Sequence, residues 1–556
     1  MACARPGIMS SPMASQSIPY HLTPHAPKLF LQFVEDFPLV AKFYAHPPTL
    51  PTALRYGRKV KFPSERRRNL VETLREQNTA FGSGHETLKN LERLEEGAVA
   101  VVTGQQVGLF SGPAYSIYKA LTAIEVAGEI SRGGVPAVPV FWLATEDHDV
   151  AEVNKCLWLH EDQLTRFELP DGESSAPTPS GKPVGSIRLG PRVEALVQEA
   201  ITKLSGPGAE SVAHMLRESY TAADTYGSAF GKLFARLFSG QGLILLDPLD
   251  ARLHGLSATL IERALAERNL LNEKLLARGQ ALEEAGFDAQ VNVTPRSSLI
   301  FYMKDGIRHA LTVHDNHYYA GDAAFSRDEL LRLLRAQPES FSPNVLLRPV
   351  VQDFLLPTAA YVAGPAEIAY CAQSEVLYRH LLGTMPVLLP RASFTIVEPK
   401  LAKLLERYNL SVEDVWAGRE KLRARLESQF LPAALARQFD HAAASLEREF
   451  GHLKGPLREL DPTLEGALET AQRKMSFQLE NLREKAGRAR EQRERVISKH
   501  EEMLTAALYP DREPQQRALC LLPFLAHWGL EGLEELRKLA RVSLSKNQEV
   551  IVFPRS

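Results

Sequence analysis

Two apolar runs that each end abruptly in polar residues constrain this chain more than anything else in it. The first, Val101-Val-Thr-Gly-Gln-Gln-Val-Gly-Leu-Phe-Ser-Gly-Pro-Ala-Tyr-Ser-Ile-Tyr-Lys119, follows Val99, starts β-branched and turns through Gly104, Gly108 and Gly112. It then enters a helix predicted over Ala114 to Ile130, with Pro113 near the first turn. The second, Ala137-Val-Pro-Val-Phe-Trp-Leu-Ala144, is apolar almost throughout, which suits a parallel strand buried on both faces. It gives way to Glu146-Asp147-His148-Asp149. Ligands of open α/β sheets bind beyond the carboxyl ends of the strands, so the two ends predict one shared site.

Each stretch carries its own chemistry. Glycines at this spacing let backbone N–H groups approach an anion closely, and the following helix terminus favours phosphate or carboxylate there. The binding candidates are Gly104, Gln105, Gln106, Gly108, Gly112, Tyr115 and Lys119. A tight strand-to-helix turn is the alternative use of the same glycines. Neither G-x-G-x-x-G nor G-x-x-x-x-G-K-[ST] is present, which removes the main support for a dinucleotide fold or a P-loop. Crowding Glu146, Asp147, Asp149 and Glu152 together is unfavourable unless a cation, an ammonium group or hydrogen-bond donors compensate. Glu146, Asp147, His148 and Asp149 are therefore the catalytic candidates, with Asn154 a binding candidate just beyond them. Helix capping by Asp147 or Asp149 is the competing reading. No C-x-x-C or H-E-x-x-H accompanies His148, so no protein metal ligand and no structural zinc are expected.

A third stretch, Ser342 to Tyr370, sets Arg348, Gln352, Asp353, Gly364, Glu367 and Tyr370 among apolar residues. Charged groups interrupt a buried sheet only if they pair internally or bind something polar. An ion pair between Arg348 and a carboxylate is as compatible with the sequence as ligand contact.

Between these stretches the composition changes. Pro170 to Gly185 is turn-rich, Gly242-Leu-Ile-Leu-Leu-Asp-Pro248 is a short apolar strand, and FYMKDGIRHALTV reads as a hairpin about Asp305-Gly306. From Pro399 the pattern is helical. Leu468, Met475, Leu482, Ala489, Val496 and Met503 recur seven apart, with Leu464, Ala471, Leu479 and Ala486 widening the stripe. Leu435, Phe439, Ala442, Leu446, Phe450 and Leu453 form a second stripe, and Gly455-Pro456 with Asp461-Pro462 predicts the reversal of an antiparallel coiled coil. Lys474-Met475-Ser476 lies inside that helix and is not read as a synthetase loop.

A length of 556 residues predicts two or more domains, and 44% hydrophobic residues is ample for a soluble core. A net charge of −2 gives no basic field for nucleic acid. Scattered Cys3, Cys156, Cys371 and Cys520 suit free thiols in a reducing cytoplasm. The amino terminus lacks a sustained apolar segment and no stretch is predicted to span a membrane.

TGQQVGLFSGPAYSIYKA, PVFWLATEDHDVAEVN, GLILLDP, SPNVLLRPVVQDFLLPTAAYVAGPAEIAY and PRASFTIVE, in this order, resemble the BshC family of bacillithiol biosynthesis over essentially the whole chain. Thr145 and Ala366 stand where glycine is often expected. The resemblance implies an α/β fold: a Rossmann-like parallel-sheet core, similar to class I synthetases and nucleotidylyltransferases, with connecting insertions and a C-terminal α-helical coiled-coil domain that makes a homodimer. On this sequence that gives core segments at 1–154, 241–290 and 343–398, insertions at 155–240 and 291–342, and the helical domain at 399–556. It also implies a cysteine ligase that joins the cysteine carboxylate to the amino group of glucosaminyl malate.

A carboxylate condenses with an amine in water only once its oxygen becomes a leaving group, so ATP with Mg²⁺ is the expected activator. Amides from Gln105 to Gly112, with Lys119 or an arginine, would hold phosphate or malate charge. The acidic run would take the cysteine ammonium, sugar hydroxyls or Mg²⁺, and Glu146 or Asp149 would serve as general base. The alternatives are a nucleotidylyltransferase-like enzyme acting on another small acid, or a non-catalytic coiled-coil scaffold.

Overall fold

Near-continuous apolar strands need cover on both faces, and the sheet at the centre of this protein has it. The computed structural model describes residues 14–169, 181–315, 317–428, 434–542 and 547–552. Cys3 and positions 170–180 of the turn-rich stretch lie outside the described residues, as do the side chains of Leu435, Ala486 and Ala489. Five parallel strands run in the order Val387–Pro390, Thr358–Ala363, Val99–Gln105, Ala137–Leu143, Ile244–Leu246, and are counted first to fifth along the chain, from Val99–Gln105 to Val387–Pro390. Ala137–Leu143 and Thr358–Ala363 are buried at every residue.

The period of two sends alternate residues of a strand to opposite faces of the sheet. Ala100, Val102, Val138, Val140 and Trp142 enter one core. Val99, Val101 and Ala137 enter another, against Val126, Ala127 and Ile130 of the helix Tyr115–Arg132. Strand order reverses between Val99–Gln105 and Thr358–Ala363, and the crevice beyond such a switch point is where α/β sheets take ligands.

The glycine turn has a steric logic. A Cβ on Gly104 would lie 2.7 Å from the Trp142 carbonyl oxygen and 2.9 Å from its Cβ on the paired strand. Further on, Phe110, Ser111 and Gly112 take φ of 50°, 77° and 65° in succession. That reversal sends the Phe110 ring into a cluster with Trp158, Phe167 and Tyr220.

Between the second and third core strands lie the hairpin Lys155–His160 with Gln163–Glu168 and the helices Arg192–Thr202, Ala209–Ser219 and Tyr226–Leu237. Before the fourth comes a 5-stranded antiparallel sheet. Its hairpin Ser297–Lys304 to Ile307–His314 reverses at Asp305 and Gly306, both at positive φ, as the Asp-Gly pair predicts.

Contacts divide the chain into two units, 1–396 with 513–556, and 397–512. In the first, Asn547–Val552 lies between Ala14–Pro19 and Phe394–Val397 in a 3-stranded sheet. The second holds the long helices Ala434–Leu460 and Leu464–Leu508. Only the second expected reversal signal is used: the chain turns at Asp461, whose carboxylate accepts from the Thr463 N–H at 2.9 Å. Helix continues through Gly455-Pro456 because Gly455 has no Cβ to meet the proline ring. The seven-residue stripe is buried at Leu468 and Met503, whereas Met475 and Leu482 are 53% and 56% exposed. Among the described residues no helix is long and apolar enough to cross a membrane.

Gly104→Ala is expected to cost about 1–3 kcal/mol by overpacking against Trp142. Urea unfolding measures it, with Gly240→Ala, whose added Cβ meets nothing within 4 Å, as the near-neutral comparison.

Candidate active site

The carboxyl ends of the first, second and fourth core strands open onto one cavity of about 590 Å³, within the usual range for small-molecule sites. Gly104, Gln105, Gln106, Tyr115 and Lys119 line it from the glycine turn and its helix, Glu146, Asp147 and His148 from the acidic run, and Arg348, Gly364, Glu367 and Tyr370 from the third stretch. Gln106 joins the first two directly, its side-chain amide donating to Asp147 at 2.7 Å and also to Glu152.

Six candidates are not among the lining residues. Gly108 and Gly112 pack on each other, a Cβ on Gly108 falling 2.9 Å from the Gly112 Cα, so these two serve the turn. Asp149 caps the short helix Val150–Val153 through the Ala151 N–H at 3.1 Å. Asn154 is buried behind it. Gln352 accepts from Arg348 at 2.9 Å and donates to Asp353 at 3.0 Å, and Asp353 also accepts from Tyr378, so both stand behind Arg348. Arg348 thus bonds Gln352 and, at 3.3 Å each, the hydroxyls of Tyr361 and Tyr370, instead of a carboxylate.

Part of the anion cradle expected of the glycine-turn amides is already committed within the protein. The N–H of Gly108 donates to Gln106, that of Gly112 to Leu109, that of Ala114 to Leu519 and that of Ser116 to Pro113. Lys119 is equally committed. Its ammonium has three donors, and they reach the Gly104 carbonyl at 2.7 Å, the Gln105 side-chain oxygen at 2.8 Å and Glu367 at 2.5 Å. Burial pulls the Lys119 pKa down, with Glu367 opposing. Glu367 would be pushed up by burial, but Lys119, the Tyr361 hydroxyl at 2.5 Å and the Gly364 N–H at 2.6 Å hold it below the usual carboxylate range.

The opposite wall differs. Glu146 is 8% exposed and, among the described residues, accepts no hydrogen bond. The basic side chain nearest to it is His254, Nε2 to Oε1, at 3.6 Å. Burial pushes its pKa up, against the pull of His254 and Arg308. Thr145, buried where glycine was expected, donates to half-buried Asp247 at 2.5 Å.

Sequence reasoning missed Arg308, Arg391 and Arg517, which also line the cavity. Arg308, on the hairpin, donates to Ser342 at 2.8 Å and to the Pro343 carbonyl at 2.6 Å, with its guanidinium 3.9 Å from the Phe301 ring centroid. Arg391 follows the strand Val387–Pro390, so the strand-end rule applied there finds it. Nothing in the local pattern marks Arg308 or Arg517. Among the described residues no group of three or more His, Cys, Asp or Glu could hold a metal ion.

Comparison with known proteins agrees with this architecture. Residues 13–392 match the family model described as Bacillithiol biosynthesis BshC, N-terminal Rossmann-like domain, and residues 394–552 match the one described as its C-terminal coiled-coil domain. Proteins named "Putative cysteine ligase BshC" are similar over most of their length. The Koribacter versatilis protein is 40% identical, covering 94% of this chain and 97% of its own. That of Solibacter usitatus is 39% identical over 91% and 94%, and that of Salinibacter ruber 33% over 95% and 98%.

Lys119→Met leaves Glu367 charged without its partner and is expected to destabilise the fold by about 3–5 kcal/mol, with Lys119→Met/Glu367→Gln recovering most of it; urea denaturation at neutral pH measures both. Because the folded-state pKa of Glu367 is depressed, its contribution is present above its unfolded value, near 4.5, and is lost as pH falls through the lower folded value. The single variant lacks that acid-side loss.

Proposed function

The chain belongs to the bacillithiol biosynthesis BshC family, and on that premise we propose that it is an ATP-dependent ligase joining the cysteine carboxylate to the amino group of glucosaminyl malate. The observation that carries this reading is Glu146, a cavity-facing carboxyl that accepts no hydrogen bond among the described residues and whose pKa burial raises. A carboxyl in that state binds a proton more readily than an exposed one. The amine arrives as an ammonium, and its lone pair is blocked until a base removes a proton. Glu146 is that base, since Asp149 is engaged as a helix cap.

Asp147, steadied by Gln106 and the His148 N–H at 2.7 Å, offers negative charge to the cysteine ammonium. Arg308, Arg391 and Arg517 provide planar donors suited to phosphate and to the malate carboxylates. The nucleotide, when bound, makes the cysteine carboxyl oxygen a leaving group, and Mg²⁺ enters with its phosphates. The proposed setting is the cytoplasm, where buried, unbridged Cys156, Cys371 and Cys520 stay reduced. The proposed assembly is a homodimer through the helical domain, because Leu453, Met475, Phe477 and Leu482 remain exposed on its two long helices and a second copy is the occupant that a self-complementary stripe selects.

Pure protein incubated with cysteine, glucosaminyl malate and ATP is expected to yield the amide by mass spectrometry. Glu146→Gln should lower kcat by about 10²–10⁴-fold with KM little changed. Pyrophosphate release without cysteine consumption would point instead to a nucleotidylyltransferase, and titration calorimetry showing no binding of ATP or cysteine, alone or together, would overturn the reading. Sedimentation at micromolar concentration is expected to give twice the 61.8 kDa chain mass, and Met475→Lys/Leu482→Lys to give the monomer.

A further inference from the structure

Amide formation must dispose of two protons. The amine enters as –NH₃⁺ and ends as –NH–, while the acyl carbon's bond to its leaving group breaks and that group departs with the electron pair. One carboxylate accepts one proton, so a base that acts alone must discharge before the second leaves.

Behind Glu146 stands a group that neither the sequence nor the cavity lining identifies. His254 lies on the helix Ala251–Ala266, is 9% exposed, and does not line the main cavity. Its Nδ1 is 3.0 Å from the Phe341 carbonyl oxygen. A carbonyl only accepts, so Nδ1 carries the hydrogen and Nε2 is left facing Glu146 Oε1 at 3.6 Å. A second void of about 10 Å³, lined by both Glu146 and His254, adjoins the pair. That is about the room needed by one water. Glu146 lines both spaces, its carboxyl standing between the reaction cavity and the imidazole.

We propose that His254 is a positioning residue that receives a proton from Glu146 through the wall of the cavity, restoring the carboxylate in time for the second proton. This rests on reading Glu146 as the base. The first proton passes from the ammonium to Glu146 and on to His254 Nε2, giving carboxylate beside imidazolium. The second passes to Glu146 as the adduct collapses, and both return to water when the product leaves. The surrounding charges permit either state: Arg308 and Arg348 favour the carboxylate, whereas half-buried Asp247, with Asp250 beside it, favours keeping a proton on the pair.

The full-length chain, labelled with ¹³C at histidine Cε1 and with the His254 resonance assigned by its loss in His254→Asn, tests the coupling without substrate. Glu146→Gln is expected to weaken proton binding at His254 about tenfold; an unchanged titration midpoint overturns the proposal. In the amide assay, His254→Asn keeps a donor for the Phe341 carbonyl but cannot titrate. It should lower kcat about 10–100-fold, leave KM within a few fold, and move the acid limb of the pH profile downward, because the imidazole whose protonation blocks the relay no longer titrates. An equal loss at every pH overturns the proposal in favour of a structural role. If no amide forms yet Glu146→Gln still shifts His254, the ligase reading fails and the pair stands; if amide forms and His254 does not shift, the pair fails and the ligase reading stands.

Discussion

One buried ammonium holds the two sides of the sheet's switch point together. Lys119, on the helix after the first core strand, binds the end of that strand through Gly104 and Gln105, and the helix after the fourth through Glu367. A lysine whose side chain is 3% exposed is tolerable only if its donors are all met. Satisfying them fixes three segments relative to one another. Glu367 completes the closure, its two oxygens taking up Lys119, Tyr361 and the Gly364 N–H. The resulting wall carries charge but has little hydrogen-bonding capacity left for a ligand.

That closure gives the facing wall its meaning. In a fold that saturates Lys119 and Glu367 so fully, Glu146 is conspicuous as a buried carboxyl with no hydrogen bond among the described residues. Structural carboxylates are paired, whereas proton carriers are kept where neither protonation state is strongly favoured. The cavity thus divides into a rigid side, where burial is compensated inside the protein, and a reactive side, where it is left for the ligand.

Much of this was legible because parallel strands covered on both faces leave continuous apolar runs, and the polar residues that end them mark the site. The Asp305-Gly306 turn was legible for an equally local reason, the positive φ both residues adopt. Other features depend on distant partners. The role of Gly108 follows from Gly112 pressing against it, and that of Lys119 from a carboxylate 248 residues away by numbering, so both first read as anion binders. His254 lies on an amphipathic helix where a buried histidine has no distinguishing spacing. The heptad stripe predicted the long helices correctly, but periodicity does not say whether a stripe is covered within the chain, and at Met475 and Leu482 it is not.

The positive charge of the cavity comes largely from outside the parallel sheet, and this makes the C-terminal tail part of the site. Gln516 accepts from Arg391 at 2.6 Å, and Gln515 exchanges hydrogen bonds with the Ile396 backbone at 2.8 Å in both directions. Leu519 accepts from the Ala114 N–H at the mouth of the glycine turn, and the Cys520 N–H donates to Leu157 of the insertion hairpin. Within six residues the tail therefore touches the fifth core strand's exit, the first strand's turn and the first insertion, and between these anchors it presents Arg517 to the cavity. A sheet without that tail would keep Glu146 and the Lys119 wall but would lose Arg517 and the anchor that orients Arg391. Placement of the base is thus a property of the core strands, whereas the binding of anionic groups depends on residues 515–520 coming to rest against them.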